Sequence, residues 1–154
     1  MMMIPALNSQ EIRKILKIHA KKSFREISAR GRLPKLIKKF PAFYVINTDY
    51  YYEAGIHWLV IGFFKKYTIF IDSFGLSPVY YNFPLIVKRR GVPLVQNTQR
   101  LQSFKSSACG YYCIYFIYFL IRGHKLFDIV QRFSKTNRSL NDKLVFNFVK
   151  KLKK

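Results

Sequence analysis

Apolar residues recur at near-helical spacing through the first patterned segment of the chain, residues 8–29. In this stretch, NSQEIRKILKIHAKKSFREISA, they run from Ile12 to Ile27, with basic residues between them. Such spacing predicts an amphipathic helix. Asn8 followed three residues later by Glu11 predicts a capping box at its start. We therefore expect a first helix over this segment, with a basic outer face.

A turn-rich connector and three apolar segments come next. Residues 30–42 are punctuated by Gly and Pro, which predicts a connector. Residues 42–48 and 67–74 are rich in aromatic and β-branched side chains, which favour strands. Residues 56–64 are nearly all apolar, as in a strand covered on both faces. The two lysines at positions 65 and 66, between the segments 56–64 and 67–74, predict a tight, hairpin-like link.

The pattern then becomes ambiguous before it turns helical again. Residues 77–91 are ambiguous, with a short helix ended by Gly91 as the interpretation, and the alternation over residues 93–102 predicts another strand. The apolar, aromatic run that follows predicts a helix over residues 108–121. Ser106 or Ser107 is the expected cap of that helix.

Two further helices are predicted near the end of the chain, over residues 124–134 and 139–154. The order of helix, central strands and helices predicts an α+β fold, with a central mixed sheet packed by helices. The sequence contains no repeat and no linker, so we expect one domain over residues 1–154.

Charge and cysteine content narrow the class of protein. The 154 residues include 28 Lys and Arg against seven Asp and Glu, a net charge of +21, which favours polyanionic partners and nucleic acid first. Two cysteines four residues apart are too few for a secreted disulfide scaffold, which indicates a reducing compartment. The first residues, MMMIPAL, lack the features of a signal peptide. The longest apolar run ends at Arg122, short of the roughly 20 residues that span a membrane. We expect a soluble intracellular or virion protein without a membrane partner.

Scarce polar residues in the apolar strands are candidates for chemistry. His57 lies among apolar residues, and Asp72 alone ends an otherwise apolar strand. If residues 56–64 and 67–74 pair as a hairpin, these two side chains lie near the same end of adjacent strands. An imidazole oriented by a carboxylate is the base of a nucleophilic triad.

Cys109 is the candidate nucleophile. A thiol in the first turn of a helix is exposed to the partial positive charge of free amide groups, which favours the reactive thiolate. Ala108 and Gly110 leave room for a substrate backbone to approach. Gln102, in the preceding loop, together with the Cys109 amide, would supply donors for an oxyanion.

Each of these residues also has an ordinary structural interpretation. A cysteine in an aromatic segment is often a packed small apolar residue, and a buried histidine is often part of the core. A metal site formed by Cys109, Cys113, His57 and His124 is a further alternative. We expect no metal, because a single Cys-x3-Cys pair without a matching second pair is a weak zinc pattern.

Three blocks of the sequence resemble the adenovirus protease family, the adenains. They are NTDYYYEAGIHWLVIGF, YTIFIDSFG and NTQRLQSFKSSACGYYCIYF, which carry Gly-x-His-Trp, an acid before x-Phe-Gly, and Gln-x6-Cys-Gly in that order. They are similar to related proteases of other DNA viruses and of Polinton/Maverick-type mobile elements, and more distantly to the proteases of ubiquitin-like proteins such as SUMO. The resemblance covers residues 24–121 and implies a papain-like or adenain-like cysteine protease core. Since the chain ends earlier than adenain, it implies a minimal catalytic core.

The resemblance assigns a role to each candidate residue. His57 would be the general base, Asp72 its orienting acid, Cys109 the nucleophile and Gln102 the oxyanion-hole side chain. The acid is Asp here, where the human adenoviral enzymes have Glu and the more distant relatives have Asp. The family cleaves after Gly in small-residue motifs. The substrate cleft is therefore expected at Gly55, Trp58 and Gly110, with packing beneath His57 as the alternative role of Trp58.

The resemblance also implies accessory molecules, although the chemistry itself requires no cofactor. DNA activates adenain, and basic residues here could contact phosphates without reading base sequence: Lys35, Lys38, Lys39, Lys88, Arg89 and Arg90. A generally basic surface is the alternative. Adenain also binds a viral peptide through a disulfide. The only spare thiol here, Cys113, lies in the apolar run, so a peptide cofactor would have to bind without a disulfide.

The expected function is that of a cysteine endopeptidase that cleaves capsid or core precursor proteins during particle maturation, in association with DNA. Its expected location is the virion and the host nucleus. One alternative is a protease that deconjugates ubiquitin-like modifiers. Another, from a different class, is a catalytically inactive, basic DNA-binding or packaging protein.

Overall fold

The computed structural model describes residues 3–50, 57–83 and 91–154, and these residues form five strands and four helices. The strands are β1 (Phe24–Arg30), β2 (Ala42–Tyr50), β3 (Trp58–Phe63), β4 (Thr68–Ile71) and β5 (Leu94–Gln96). The helices are α1 (Ser9–His19), α2 (Cys109–Leu120), α3 (Leu126–Val130) and α4 (Arg138–Leu152), with a 3-10 turn at Lys21–Ser23.

The five strands form one mixed sheet in the order β1-β2-β3-β4-β5. The outer pairs, β1 with β2 and β4 with β5, are parallel, and the two inner pairs are antiparallel. Helices cover one face of this sheet, which confirms the predicted α+β class and the predicted hairpin of β3 and β4.

Both faces of the sheet are apolar because alternate residues of the central strands point to two different cores. Phe43 and Val45 of β2 belong to the larger core, which contains most of α2. Tyr44 and Ile46 face a smaller core closed by Phe83 and by partly buried residues of the connector. Helix α2 is apolar around nearly its whole circumference, as expected of a helix buried between a sheet and other helices.

The first helix is shorter than predicted. The capping box between Asn8 and Glu11 is present, but α1 ends at His19, and residues 24–30 form β1 instead of further helical turns. Lys21 has a φ of 45°, a left-handed conformation that interrupts the helix. Parallel pairing with β2 then overrides the helical periodicity of the segment.

Other boundaries also differ from the prediction. The N-cap of α2 is Ala108 and no side chain bonds there, so the expected serine cap is wrong. Strand β5 and helix α3 are shorter than the segments predicted for them. In the ambiguous segment, residues 78–82 form turns, and residues 84–90 lie outside the described part of the chain.

In the described part of the chain, no helix combines the length and the apolar character needed to cross a bilayer.

Candidate active site

The ends of β3 and β4 bring a histidine and an aspartate together. His57 immediately precedes β3 and Asp72 immediately follows β4, and antiparallel pairing puts these positions at the same end of the hairpin. The distance from His57 Nε2 to Asp72 Oδ1 is 2.7 Å, and the two residues are 6% and 0% exposed. The structure thus confirms the predicted proximity of the two side chains.

The Asp72 carboxylate is held by four donors. Oδ1 accepts hydrogen bonds from His57 and from the backbone N–H of Phe74, at 3.0 Å for the latter. Oδ2 accepts from the backbone N–H of Leu76 at 3.1 Å and from the Tyr81 hydroxyl at 2.7 Å. A buried carboxylate needs such partners, and here they also fix the orientation of the imidazole.

The turn that carries Asp72 is fastened to the chain beyond β5. Asn97 binds the Asp72 backbone on both sides: its Oδ1 accepts from Asp72 N–H at 3.0 Å, and its Nδ2 donates to Asp72 O at 2.6 Å. Gly75 has a φ of 75°, and a Cβ there would lie 2.7 Å from Thr98 O. Only glycine suits both this conformation and this close approach.

The environment of His57 favours its protonated form. Burial lowers the pKa of His57, but hydrogen bonds with Asp72 and Cys109 and the negative charge of both partners raise it to about 9. The Phe74 ring stacks on the imidazole, with ring centroids 4.8 Å apart, and shields it from solvent. Because Nε2 binds Asp72, Nδ1 is the nitrogen left to bond Cys109.

Cys109 is the first residue of α2 and is 8% exposed. Its thiol lines a cavity of about 650 Å³ that also contains His57, Trp58 and Gln102 in its wall. The side chain therefore reaches a space large enough for a ligand, although most of its surface is buried. The other cysteine, Cys113, is a core residue, and burial together with nearby negative charge raises the pKa of its thiol well above the ordinary value.

Gln102 is 1% exposed and its amide is bonded on both sides. Its Oε1 accepts from the Ser73 hydroxyl at 2.5 Å. Its Nε2 donates to Ser106 O at 2.9 Å and to Ser106 Oγ at 3.2 Å. Gln102, Ser106 and Cys109 all line the cavity, and the amide nitrogen of Gln102 is directed to Ser106.

Three residues were predicted to line the substrate cleft: Trp58, Gly110 and Gly55. Trp58 is half-buried, lines the cavity and also packs on the core, which fits both of its proposed roles. Gly110 faces α1 instead of the cavity: a Cβ there would lie 3.1 Å from Ile12 Cδ1 and 3.3 Å from Leu7 Cβ. The absence of a side chain at Gly110 thus allows close helix packing, so the structure gives no support to a role for it in the cleft. Gly55 lies outside the described residues.

Of the six residues predicted to contact phosphates, three are among the described residues. Lys35, Lys38 and Lys39 are exposed on the connector between β1 and β2, while residues 88–90 are not among the described residues.

Within the described ranges, no three His, Cys, Asp or Glu side chains are close enough to hold a metal ion. His124 lies elsewhere, where its ring contacts Arg132 and Phe119.

Sequence reasoning missed several residues that support the site. They are Ser73, Tyr81, Asn97, Asn141 and Asp142, all of which hold the turn after β4 or the loop before α2. The Asn-Asp pair on α4 had a weak sequence signal, since two adjacent polar residues interrupt the apolar face of the predicted helix.

Comparison with known proteins agrees with this geometry. A family model described as adenovirus endoprotease matches residues 31–145, which is 115 of the 154 residues. The protease of bovine adenovirus C serotype 10 is 30% identical over 104 residues, covering 53% of each chain. The protease of ovine adenovirus D serotype 7 is 33% identical over 89 residues, covering 48% of this chain and 44% of the relative. The chain thus spans about half the length of the curated relatives it matches.

Solved structures share the fold at low sequence identity. The ASFV pS273R protease superposes with a TM-score of 0.61 at 17% identity, covering 92% of this chain and 66% of that one. ChlaDub1 from Chlamydia trachomatis superposes with a TM-score of 0.64 at 12% identity, covering 99% and 92%. These similarities support the cysteine protease fold inferred from the site. The match over three quarters of its residues shows that the chain belongs to the adenovirus endoprotease family.

Proposed function

We propose that this protein is a cysteine endopeptidase with Cys109 as nucleophile, His57 as acid and base, and Asp72 as the group that orients His57. The observation that carries the proposal is the continuous contact from Asp72 through His57 to Cys109 at the wall of one cavity. An imidazole bonded to a carboxylate on one side and a thiol on the other is the arrangement that activates a cysteine.

The proposed reaction begins with the proton on His57. The Cys109 thiolate attacks the peptide carbonyl carbon, and the carbonyl π electrons move to the oxygen. The Gln102 amide and the Cys109 backbone N–H stabilise that oxyanion. His57 then donates its proton to the leaving amine, the C–N bond breaks, and a thioester remains.

Hydrolysis of the thioester restores the enzyme. His57, now neutral, takes a proton from water while the water oxygen attacks the thioester carbon. The C–S bond breaks, the acid product leaves, and the thiolate with its imidazolium partner is formed again. The four hydrogen bonds of Asp72 keep the imidazole in place throughout.

We extend the proposal to the substrate as follows: precursor proteins of a virus particle, cleaved after Gly in small-residue motifs. Trp58 and Leu7 contribute apolar walls to the cavity that Cys109 lines, and the preference of the resembled family for Gly is the support for a small residue there. Membership of the adenovirus endoprotease family supports a precursor of the particle as substrate, and the virion and the infected-cell nucleus as the location.

DNA is the proposed accessory partner. The support is the net charge of +21 and the exposed lysines of the connector, which would bind phosphates without sequence preference. Cleavage rates measured with and without duplex DNA at several salt concentrations test this. Acceleration that disappears at high salt is expected, and a rate independent of DNA would contradict it. A viral peptide cofactor, if added, should act without a disulfide because Cys113 is a core residue.

The decisive experiment compares the wild type with Cys109→Ala, and with Cys113→Ala as the matched control. On a fluorogenic peptide ending in Gly-Gly, Cys109→Ala should abolish cleavage without loss of the folded state. Cys113→Ala should retain activity, with some loss of stability from the small core cavity. Cleavage by Cys109→Ala at the wild-type rate would refute the proposal. Activity on a Gly-Gly conjugate of a ubiquitin-like protein, but not on precursor-type peptides, would favour a deconjugating protease instead.

A further inference from the structure

The side-chain amide of Gln102 can act as an oxyanion donor only in one of its two orientations. Its NH2 group must face the cavity and its carbonyl oxygen must face the protein, because rotation by half a turn would present an acceptor to an oxyanion. The residues that bind the amide therefore decide whether it can stabilise a transition state.

Ser73 binds the carbonyl side of this amide. Its hydroxyl lies 2.5 Å from Gln102 Oε1, and the residue is only 3% exposed. A carbonyl oxygen only accepts, so the hydroxyl must donate. The contact joins residues 29 positions apart, and it is buried. This buried hydrogen bond holds the amide in place. Because a hydroxyl can also accept, the orientation of the amide is decided on the other side, where rotation would oppose the Gln102 oxygen to the carbonyl oxygen of Ser106.

Ser73 also holds the backbone next to that amide. Its carbonyl oxygen accepts from the backbone N–H of Leu101 at 2.8 Å and from that of Gln102 at 3.0 Å. The residue thus contacts Gln102 through both main chain and side chain. Since Ser73 directly follows Asp72, one turn after β4 orients the histidine with its first residue and the glutamine with its second.

The opposite side of the amide is bonded to Ser106, a residue that lines the cavity. Nε2 donates to Ser106 O at 2.9 Å, but its contact with Ser106 Oγ is longer, at 3.2 Å. An oxyanion is a stronger acceptor than a hydroxyl oxygen and could replace the longer contact while the shorter one stays. We propose that Ser73 is a positioning residue for the oxyanion hole, because its hydroxyl holds the Gln102 amide at the cavity wall, where Ser106 O fixes the orientation of that amide.

The proposal rests on the proposed function, and its test separates the two. Ser73→Ala should lower kcat on the Gly-Gly peptide about 10- to 100-fold with KM unchanged, because the loss concerns the transition state alone. Alkylation of Cys109 by iodoacetamide forms no oxyanion, so its rate should equal that of the wild type. Ser73→Thr keeps a hydroxyl and should recover part of the lost kcat, and Ser139→Ala, an exposed serine of α4, is the control.

A double-mutant cycle with Gln102→Ala gives the sharpest outcome. Once the amide is removed, Ser73→Ala should cause no further loss of kcat, because the hydroxyl acts only through Gln102. A full additional loss in the Gln102→Ala background, or slowed alkylation of Cys109, would overturn the inference and indicate that Ser73 acts through Asp72 or the fold. A wild-type chain that alkylates slowly and cleaves no peptide would overturn the proposed function as well.

Discussion

The two halves of the site are held in different ways. His57 and Asp72 are placed by adjacent ends of one β-hairpin, and their contact joins residues 15 positions apart. Gln102 and Cys109 lie on the loop before α2 and on the helix itself. That loop is fastened from the far end of the chain, where Asn141 Nδ2 donates to Leu101 O at 3.1 Å over 40 positions.

Further contacts strengthen this difference. The Tyr112 hydroxyl donates to the Asp142 carboxylate at 2.7 Å and also lies 3.2 Å from Leu101 O, which links α2, the loop and α4. Burial of Asp142 raises its pKa, although hydrogen bonds from Tyr112, Ser106 and Ser103 oppose the shift. The base half is thus a local product of strand pairing, while the thiol half depends on helix α4. The halves are joined by the contacts of Ser73 with Leu101 and Gln102 and by the bond between His57 and Cys109. Loss of a contact from α4 should therefore perturb the loop before α2 more than the hairpin.

The largest effect is expected from Asp72→Asn, which attacks the base half. Each carboxylate oxygen accepts from one backbone N–H, so the new NH2 group faces a donor in either orientation. Activity should fall about 10²- to 10⁴-fold, as for other triads with a misoriented imidazole. Peptide cleavage assays measure this, and Asp128→Asn, at an exposed position on α3, is the control. Wild-type activity in Asp72→Asn would show that the hairpin does not orient the base.

The second effect is on stability as a function of pH. Because the pKa of folded His57 is raised from 6.5 to about 9, its contribution to the free energy of unfolding is complete below 6.5 and disappears as the pH rises through 9. The difference in unfolding free energy between wild type and His57→Gln should therefore shrink by on the order of 3 kcal/mol between about pH 6 and about pH 10.

Urea unfolding at a series of pH values measures this difference. In a Cys109→Ala background the decline should begin at lower pH, because Cys109 is one of the groups that raise the pKa of His57. A difference that grows with pH would mean that His57 is neutral in the folded protein. If the decline begins at the same pH in the Cys109→Ala background, Cys109 does not contribute to the raised pKa of His57.

The thiol half is tested by Asn141→Ala, for which we expect a loss of about 2 kcal/mol in unfolding free energy. The Asn141 side chain makes three hydrogen bonds, with Ser134 N, Ser134 O and Leu101 O, at 2.7, 2.8 and 3.1 Å. The substitution leaves buried groups without partners. Asn147→Ala, exposed on the same helix, should be neutral in chemical denaturation.

The same variant sharpens the comparison. In Asn141→Ala the rate of Cys109 alkylation should differ from that of the wild type, because the loop before α2 loses its anchor. The pKa of His57, followed by NMR, should stay close to its wild-type value, because the hairpin keeps its contacts. A clear shift in the pKa of His57 in this variant would contradict the view that α4 supports the loop and not the hairpin.

The smallest effect is expected from Tyr81→Phe. It removes one of four donors to Asp72 and keeps the ring, which stacks near Phe83. Stability should fall by about 1 kcal/mol and activity by less than about tenfold, since His57 and two backbone donors remain. Tyr80→Phe, at a position 69% exposed, is the matched control. A loss as large as that of Asp72→Asn would mean that the hydroxyl, and not the backbone, orients the carboxylate.

The sequence predicts the fold where the pattern of neighbouring residues decides the structure, and it fails where contacts with distant residues decide it. The hairpin of β3 and β4 and the helix α2 were predicted because their residues are apolar over whole elements. Strand β1 was missed because its residues fit a helical pattern, and only pairing with β2 gives them a strand conformation. The expected serine cap was wrong because the helix begins at Cys109, which places Ala108 at the N-cap, while Ser106 accepts hydrogen bonds from Gln102.

The sequence by itself determined which residues are candidates for chemistry and on which elements they lie. His57 and Asp72 could be paired because antiparallel strands joined by a short link must align their ends. Only the tertiary structure decided how Gln102 is oriented, why Gly110 lacks a side chain, and which distant residues hold the loop before α2. The physical reason is that buried polar groups must find partners wherever the fold brings them, and these partners lie 29 to 40 residues away along the chain.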